Sequence, residues 1–257
     1  CRLARARTVV VPHADLDVID TALDCVTTDR ALVLTEGVYS MGGDVAPVGE
    51  LVEIAHRHGA LVVVDDAHGI GTVGPTGRGA TEELPASQRP DVLLGTASKA
   101  LGVEGGFACV DETLATLMRN CARGYVFSSA PSPVVAAGVA AAVEYLRTDT
   151  RRVCSLQANV AQARLLLAEA DLIPPSAAHD RGPIIRIPVG PESRAVAAQE
   201  ELARRGLMVG AIRYPAVARG DAILRICLTA RHTDEHIRIL VTSLREVLDG
   251  ALSDAPR

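Results

Sequence analysis

The chain has 257 residues, 48% hydrophobic and 22% charged, with a formal net charge of −5. That is an ordinary globular composition, and the lack of any basic block excludes nucleic acid as an expected partner. No apolar run reaches the length that spans a bilayer and no signal peptide opens the chain, so a cytoplasmic protein with no membrane partner is expected.

Aromatic residues are only 2% and tryptophan is absent, which leaves little for stacking bases or sugars. Six cysteines (Cys1, Cys25, Cys109, Cys121, Cys154, Cys227) are scattered with no CxxC spacing. Neither a zinc site nor a redox motif is indicated, and buried or idle thiols in a reducing compartment are expected.

Taken in order, Val9-Val10-Val11 reads as a strand and Asp15 to Leu23 as a helix. Ala31 to Thr35 is an apolar strand ending at Glu36, followed by the turn-rich Val38 to Asp44. Pro47 starts a helix with Val48, Leu51, Val52 and Ala55 on one face, and Gly59 ends it. Ala60 to Val64 is a β-branched strand that stops in Asp65-Asp66-Ala67-His68. A glycine-rich loop follows, then a strand from Asp91 to Gly95, another from Gly106 to Val110, and a helix capped by Asp111.

Pro133 to Arg147 and Arg152 to Ala170 read as two long helices. After the Pro174-Pro175 break come a strand (Pro183 to Val189), a helix (Ser193 to Arg205), two strands (Met208 to Ile212, Ala222 to Leu228) and a last helix after Thr233. Strands alternating with helices, each strand apolar throughout, predict an α/β fold with a mostly parallel sheet covered on both faces. The expected division is a large domain over 1–147 and a smaller α+β domain over 148–257.

The charge count isolates one residue. Of the 26 basic residues, Lys99 is the only lysine. Arginine serves wherever only positive charge is needed, but it cannot shed a proton and attack a carbonyl as a free amine. Lys99 is therefore either a candidate nucleophile or the chance survivor of an arginine-rich composition, and its neighbours must decide. In open α/β sheets, ligands bind beyond the carboxyl ends of the strands. Ser40, Asp65, His68, Thr96 and Lys99 all follow strand ends.

Gly69-Ile70-Gly71-Thr72-Val73-Gly74 matches the dinucleotide pattern G-x-G-x-x-G. It does not open a helix, since Pro75, Gly77 and Gly79 follow at once, so the match is read as false. Asp65-Asp66-Ala67-His68 lacks the further ligands a metal needs. Adjacent strand residues point to opposite faces, so Asp65 is read as an acid facing a cation and Asp66 as part of a solvated turn. A Schiff-base lysine and an acid that keeps a pyridine nitrogen protonated are the two groups pyridoxal phosphate requires. Thr96 and Ser98 are placed by sequence to help hold its phosphate.

Thr35-Glu36-Gly37-Val38-Tyr39-Ser40-Met41, Asp65 to Gly69, Gly77-Arg78-Gly79 and Gly95 to Ala100 together resemble the α-oxoamine synthases. These are fold-type I (aspartate aminotransferase-like) pyridoxal-phosphate enzymes that join an amino acid to an acyl-CoA with loss of CO2. Ala211-Ile212-Arg213, Pro215 and Val217 add a likeness to the member that uses L-alanine and a pimeloyl thioester in biotin synthesis. A relative using glycine and an acetyl thioester, or a non-catalytic fragment, are the alternatives.

The resemblance implies roles residue by residue. Lys99 is the Schiff-base lysine and general base, Asp65 the acid on the ring nitrogen, and His68 the neighbour of the phenolic oxygen. Ser40 belongs to the same pocket. Thr96 meets the phosphate, and Ser128 and Ser129 reach the phosphate of the neighbouring subunit in a homodimer with a shared site. Arg225 grips the amino-acid carboxylate. On sequence grounds alone Arg225 reads as a strand-edge surface residue, and only the resemblance reverses that. Gly42 replaces a usual aspartate, and Ala216 a usual threonine near the acyl substrate, which opens the identity of the acyl group. The N-terminal third of the family pattern, including the histidine that stacks on the cofactor ring, is expected upstream of Cys1.

Overall fold

Three apolar runs separated by helical or looped segments pair side by side and set the frame of the site. In the computed structural model, which describes residues 1–27 and 30–253, β1 (Leu32–Glu36), β2 (Leu61–Asp65) and β3 (Val92–Thr96) are parallel. An antiparallel β4 (Gly106–Val110) completes the sheet in the order β1-β2-β3-β4. Register brings Glu36 opposite Asp65 and Asp65 opposite Leu94, so the carboxyl ends form one edge.

One face of this sheet is covered by α1 (Leu16–Asp24) and α2 (Val48–Arg57). The Asp15 carboxylate accepts the Val18 N–H at 3.0 Å and so fixes the start of α1. Leu51, Val52 and Ala55 of α2 pack with Ile19 and Leu23 of α1 over Val62 and Val64. Each fully buried Leu or Val here contributes roughly 1.5–3 kcal/mol.

The expected cover of the second face is partial: Val92 there is buried, but the β1 edge is open. Leu32 and Leu34 are 62% and 54% exposed, and Leu61, the cross-strand partner of Leu32, is exposed as well. These residues share one face, and no described helix lies over them. A continuous apolar run records burial somewhere, not which side is covered. Nor is Val9-Val10-Val11 a strand: it finds no pairing partner among the described residues and Val10 is fully open.

Beyond β4, α3 (Glu112–Cys121), α4 (Arg123–Val126) and α5 (Pro133–Thr148) bury no residue. A second core then forms between α6 (Arg151–Glu169), α7 (Glu192–Arg204) and α8 (Asp234–Ser253) and a second sheet. That sheet holds β5 (Ile184–Gly190), β6 (Gly210–Ile212) and β7 (Ala222–Cys227), antiparallel in the order β5-β7-β6. Ile185, Ile187, Leu224 and Ile226 point inward to Leu167, Leu202 and Leu244. The alternate residues Arg186, Arg225 and Cys227 stand on the opposite face. All six cysteines are exposed free thiols, the idle rather than the buried form of the expectation.

The two cores meet along a seam. Gln157 of α6 donates to Gly74 O at 2.8 Å in the glycine-rich loop. Arg164, only 2% exposed, donates to Ala177 O, Gly182 O and Ile184 O at 2.8–3.1 Å and holds the approach to β5 against α6. A Cβ on Gly43 would lie 1.8 Å from Ile184 O, so the loop after β1 can approach β5 only with glycine there.

Candidate active site at the strand ends

Each strand end delivers one polar group to the seam. Glu36 closes β1, and its Oε2 accepts both the backbone N–H and the hydroxyl of Ser40, each at 3.1 Å. That double contact folds the turn after β1 back over the strand end. The Ser40 carbonyl, so placed, accepts Arg225 Nε at 2.7 Å from the other lobe. Arg225 also donates from Nη1 to Cys227 Sγ at 3.0 Å.

Asp65 closes β2. Its side chain is exposed, with Oδ1 accepting the Ala67 N–H at 3.0 Å, an Asx-type turn that bends the chain toward His68. His68 is half-buried, and burial is the largest cause holding its pKa below the ordinary imidazole value; the nearby cations Lys99 and Arg225 add to this. Glu36 and Asp65 oppose it. His68 is thus neutral at pH 7, and it lies within electrostatic reach of all four charged groups of the site.

Lys99 lies three residues past β3, exposed, in the turn Ala97 to Leu101, where its carbonyl accepts the Gly102 N–H at 3.0 Å. Thr96, the last residue of β3, donates to Gly105 O at 3.1 Å and stands 2.8 Å from the Ser98 hydroxyl. The Lys99 turn sits directly on the glycine-rich loop, for a Cβ on Gly71 would lie 2.4 Å from the Ala100 Cβ. The loop rejected as a dinucleotide site is therefore a structural bed for the lysine turn.

The remaining sequence-expected residues lie apart from this cluster. Ser128 and Ser129 are on the exposed segment between α4 and α5. Ala216 is exposed in the loop after β6, its N–H bonded to Arg213 O. Two acids gained meaning only in three dimensions. Glu36, read as a strand end, is the anchor for Ser40. Asp66, read as part of a solvated turn, is 0% exposed. Its Oδ2 accepts the Ala80 N–H at 2.8 Å while Oδ1 has no hydrogen bond. Added Cβ atoms on Gly37, Gly69 and Gly79 would lie 2.1, 1.9 and 1.9 Å from its carboxyl oxygens. No signal in the sequence distinguishes it from Asp65 except strand alternation, which correctly separates the two but assigns the wrong fate to Asp66.

The donor set fits an aldehyde-bearing aromatic cofactor. It comprises one amine, a carboxylate at a neighbouring strand end, a neutral imidazole, paired hydroxyls at Thr96 and Ser98, and a guanidinium that enters from the opposite lobe. Among the described residues no group of three His, Cys, Asp or Glu side chains is arranged to hold a metal ion.

The chain belongs to the aminotransferase class I and II family, whose sequence pattern matches residues 1–244. Its mixed α/β architecture is the fold-type I pyridoxal-phosphate transferase fold. It superposes on a lysine-to-alanine variant of serine palmitoyltransferase from S. paucimobilis with a bound PLP–myriocin aldimine, with a TM-score of 0.86 and 28% identity over 94% of this chain and 61% of that one. The 8-amino-7-oxononanoate synthase of Halorhodospira halophila is 43% identical over 257 residues, 99% of this chain and 62% of that protein. That of Anaeromyxobacter dehalogenans is 38% identical over 257 residues, 100% of this chain and 64% of that protein. The chain thus spans less than two thirds of the length of each of these relatives.

Proposed function

We propose that this chain carries the catalytic face of a pyridoxal-phosphate-dependent C-acyltransferase. Its reaction is the decarboxylating condensation of L-alanine with a pimeloyl thioester to 8-amino-7-oxononanoate, a step of biotin synthesis. The observation that carries this reading is the convergence of Lys99, Asp65, His68 and Arg225 on one seam. The identity to 8-amino-7-oxononanoate synthases over nearly the whole chain supports the choice of substrates.

In this reading Lys99 would hold the cofactor through its aldehyde, and Asp65 would serve as the anionic partner of the ring nitrogen. The neutral His68 donates a hydrogen bond to the phenolic oxygen without adding a charge. Thr96 meets the phosphate, and Ser128 and Ser129 meet that of a neighbouring subunit. When bound, the cofactor supplies an electron sink for the bond broken at the amino acid's Cα. The Lys99 amine would act as the base that takes the Cα proton of L-alanine and would later return one to the product. Arg225, steadied through Nε and Nη1, presents Nη2 to the alanine carboxylate. Ala216 stands by the acyl chain.

Two separate hydrophobic cores support a division into lobes at 1–147 and 148–257. Exposed apolar residues around Ser128 and Ser129, among them Tyr125, Phe127 and Val134, support a homodimer with a shared site. The free thiols support a cytoplasmic location, and no helix among the described residues is long and apolar enough to cross a membrane. The test is whether added pyridoxal phosphate binds through Lys99, and whether the loaded protein answers L-alanine at lower concentration than glycine. A preference for glycine would move the assignment to another α-oxoamine synthase.

A further inference from the structure

Antiparallel register places Arg186 of β5 directly opposite Arg225 of β7. Both side chains stand on the face of the small sheet that looks toward the seam, since the alternate residues Ile185, Ile187, Leu224 and Ile226 fill the core behind. Like charges directly opposite on neighbouring strands repel. Proteins offset such a pair with a carboxylate, and here none does. Among the described residues Arg186 has no side-chain hydrogen bond or ion pair, and Arg225 bonds only a carbonyl and a thiol. On the other flank of Arg225 the register partner is Gly210, which contributes no side chain and leaves the guanidinium face open.

We infer that Arg186 and Arg225 form a two-cation site for two anionic groups of the substrates. Arg225 takes the amino-acid carboxylate, and Arg186 takes a second anion carried by the acyl donor. This rests on the reading of Arg225 given above. The second anion is either the distal carboxylate of a dicarboxylic acyl chain or a phosphate of the thioester carrier. Both satisfy a planar guanidinium in the same way. Bound anions would also lift the repulsion between the two arginines, so each substrate favours the binding of the other.

Calorimetric titration of the pyridoxal-phosphate-loaded chain with three probes tests this. Heptanedioyl-CoA has both anions, heptanoyl-CoA has only the phosphates, and the heptanedioyl thioester of N-acetylcysteamine has only the carboxylate. Arg186→Gln should weaken heptanedioyl-CoA about tenfold or more, the loss expected for one charge-assisted contact. Arg186→Lys should lose less. A parallel loss for the N-acetylcysteamine thioester but not heptanoyl-CoA assigns the distal carboxylate, and the opposite pattern assigns the phosphate. Unchanged affinities, a loss confined to L-alanine, or no binding of any probe by the wild-type chain overturns the inference. Failure of Lys99 to bind the cofactor would instead overturn the proposed function, whatever the probes show.

Discussion

Asp66 offers a sharp physical test, because a carboxyl group has been enclosed where water cannot follow. Burial is the largest cause pushing its pKa up, to about 7 from an ordinary 3.8; the Asp65 charge adds to it, and N–H groups of Ala80 and Gly69 oppose it. The sign follows from proton counting. Between 3.8 and about 7 the folded chain keeps the Asp66 proton while the unfolded chain loses it. The stabilisation is therefore complete below the lower value and lost as pH rises through the upper one. At 1.36 kcal/mol per unit, the gap amounts to about 4 kcal/mol. Asp66→Asn keeps the shape and an oxygen for the Ala80 N–H but has nothing to ionise. Urea unfolding of both proteins from pH 4.5 to 8 should show the wild-type losing stability relative to the variant by about 3 kcal/mol across that range, the remainder being lost below pH 4.5. Parallel stability curves would refute the reasoning.

Two other substitutions probe the same architecture. Gly79→Ala sets a Cβ against the Asp66 carboxyl at a residue whose φ is +96°, and should cost about 3 kcal/mol or more in urea unfolding. Arg164→Leu leaves the carbonyls of Ala177, Gly182 and Ile184 without their donor. It should destabilise the chain by about 3–5 kcal/mol, with hydrogen exchange rising first in residues 175–190.

The strand ends were legible because chemistry stops where apolar runs stop. Glu36, Asp65 and Thr96 each terminate a strand whose β-branched or aliphatic run is plain in the sequence. Lys99 stood out because arginine had replaced lysine everywhere that only charge was needed. The fate of Asp66 was hidden because its cage is assembled from Gly37, Gly69 and Gly79, three short segments that no local pattern joins. The pairing of Arg186 with Arg225 depends on strand register across about forty residues, which alternation within either strand does not disclose. The open face at Leu32 and Leu34 was misread for a related reason: hydrophobicity reports that a residue seeks cover, not that the chain in hand supplies it.

Lys99 carries the account, and its uniqueness makes the decisive measurement simple. The chain is loaded with pyridoxal phosphate, reduced with borohydride, digested and mapped by mass spectrometry. The account predicts a pyridoxyl label on the peptide containing Lys99, and none anywhere in a Lys99→Ala chain treated alike. A label confined to the amino group of Cys1, or wild-type and variant chains labelled equally, would contradict it.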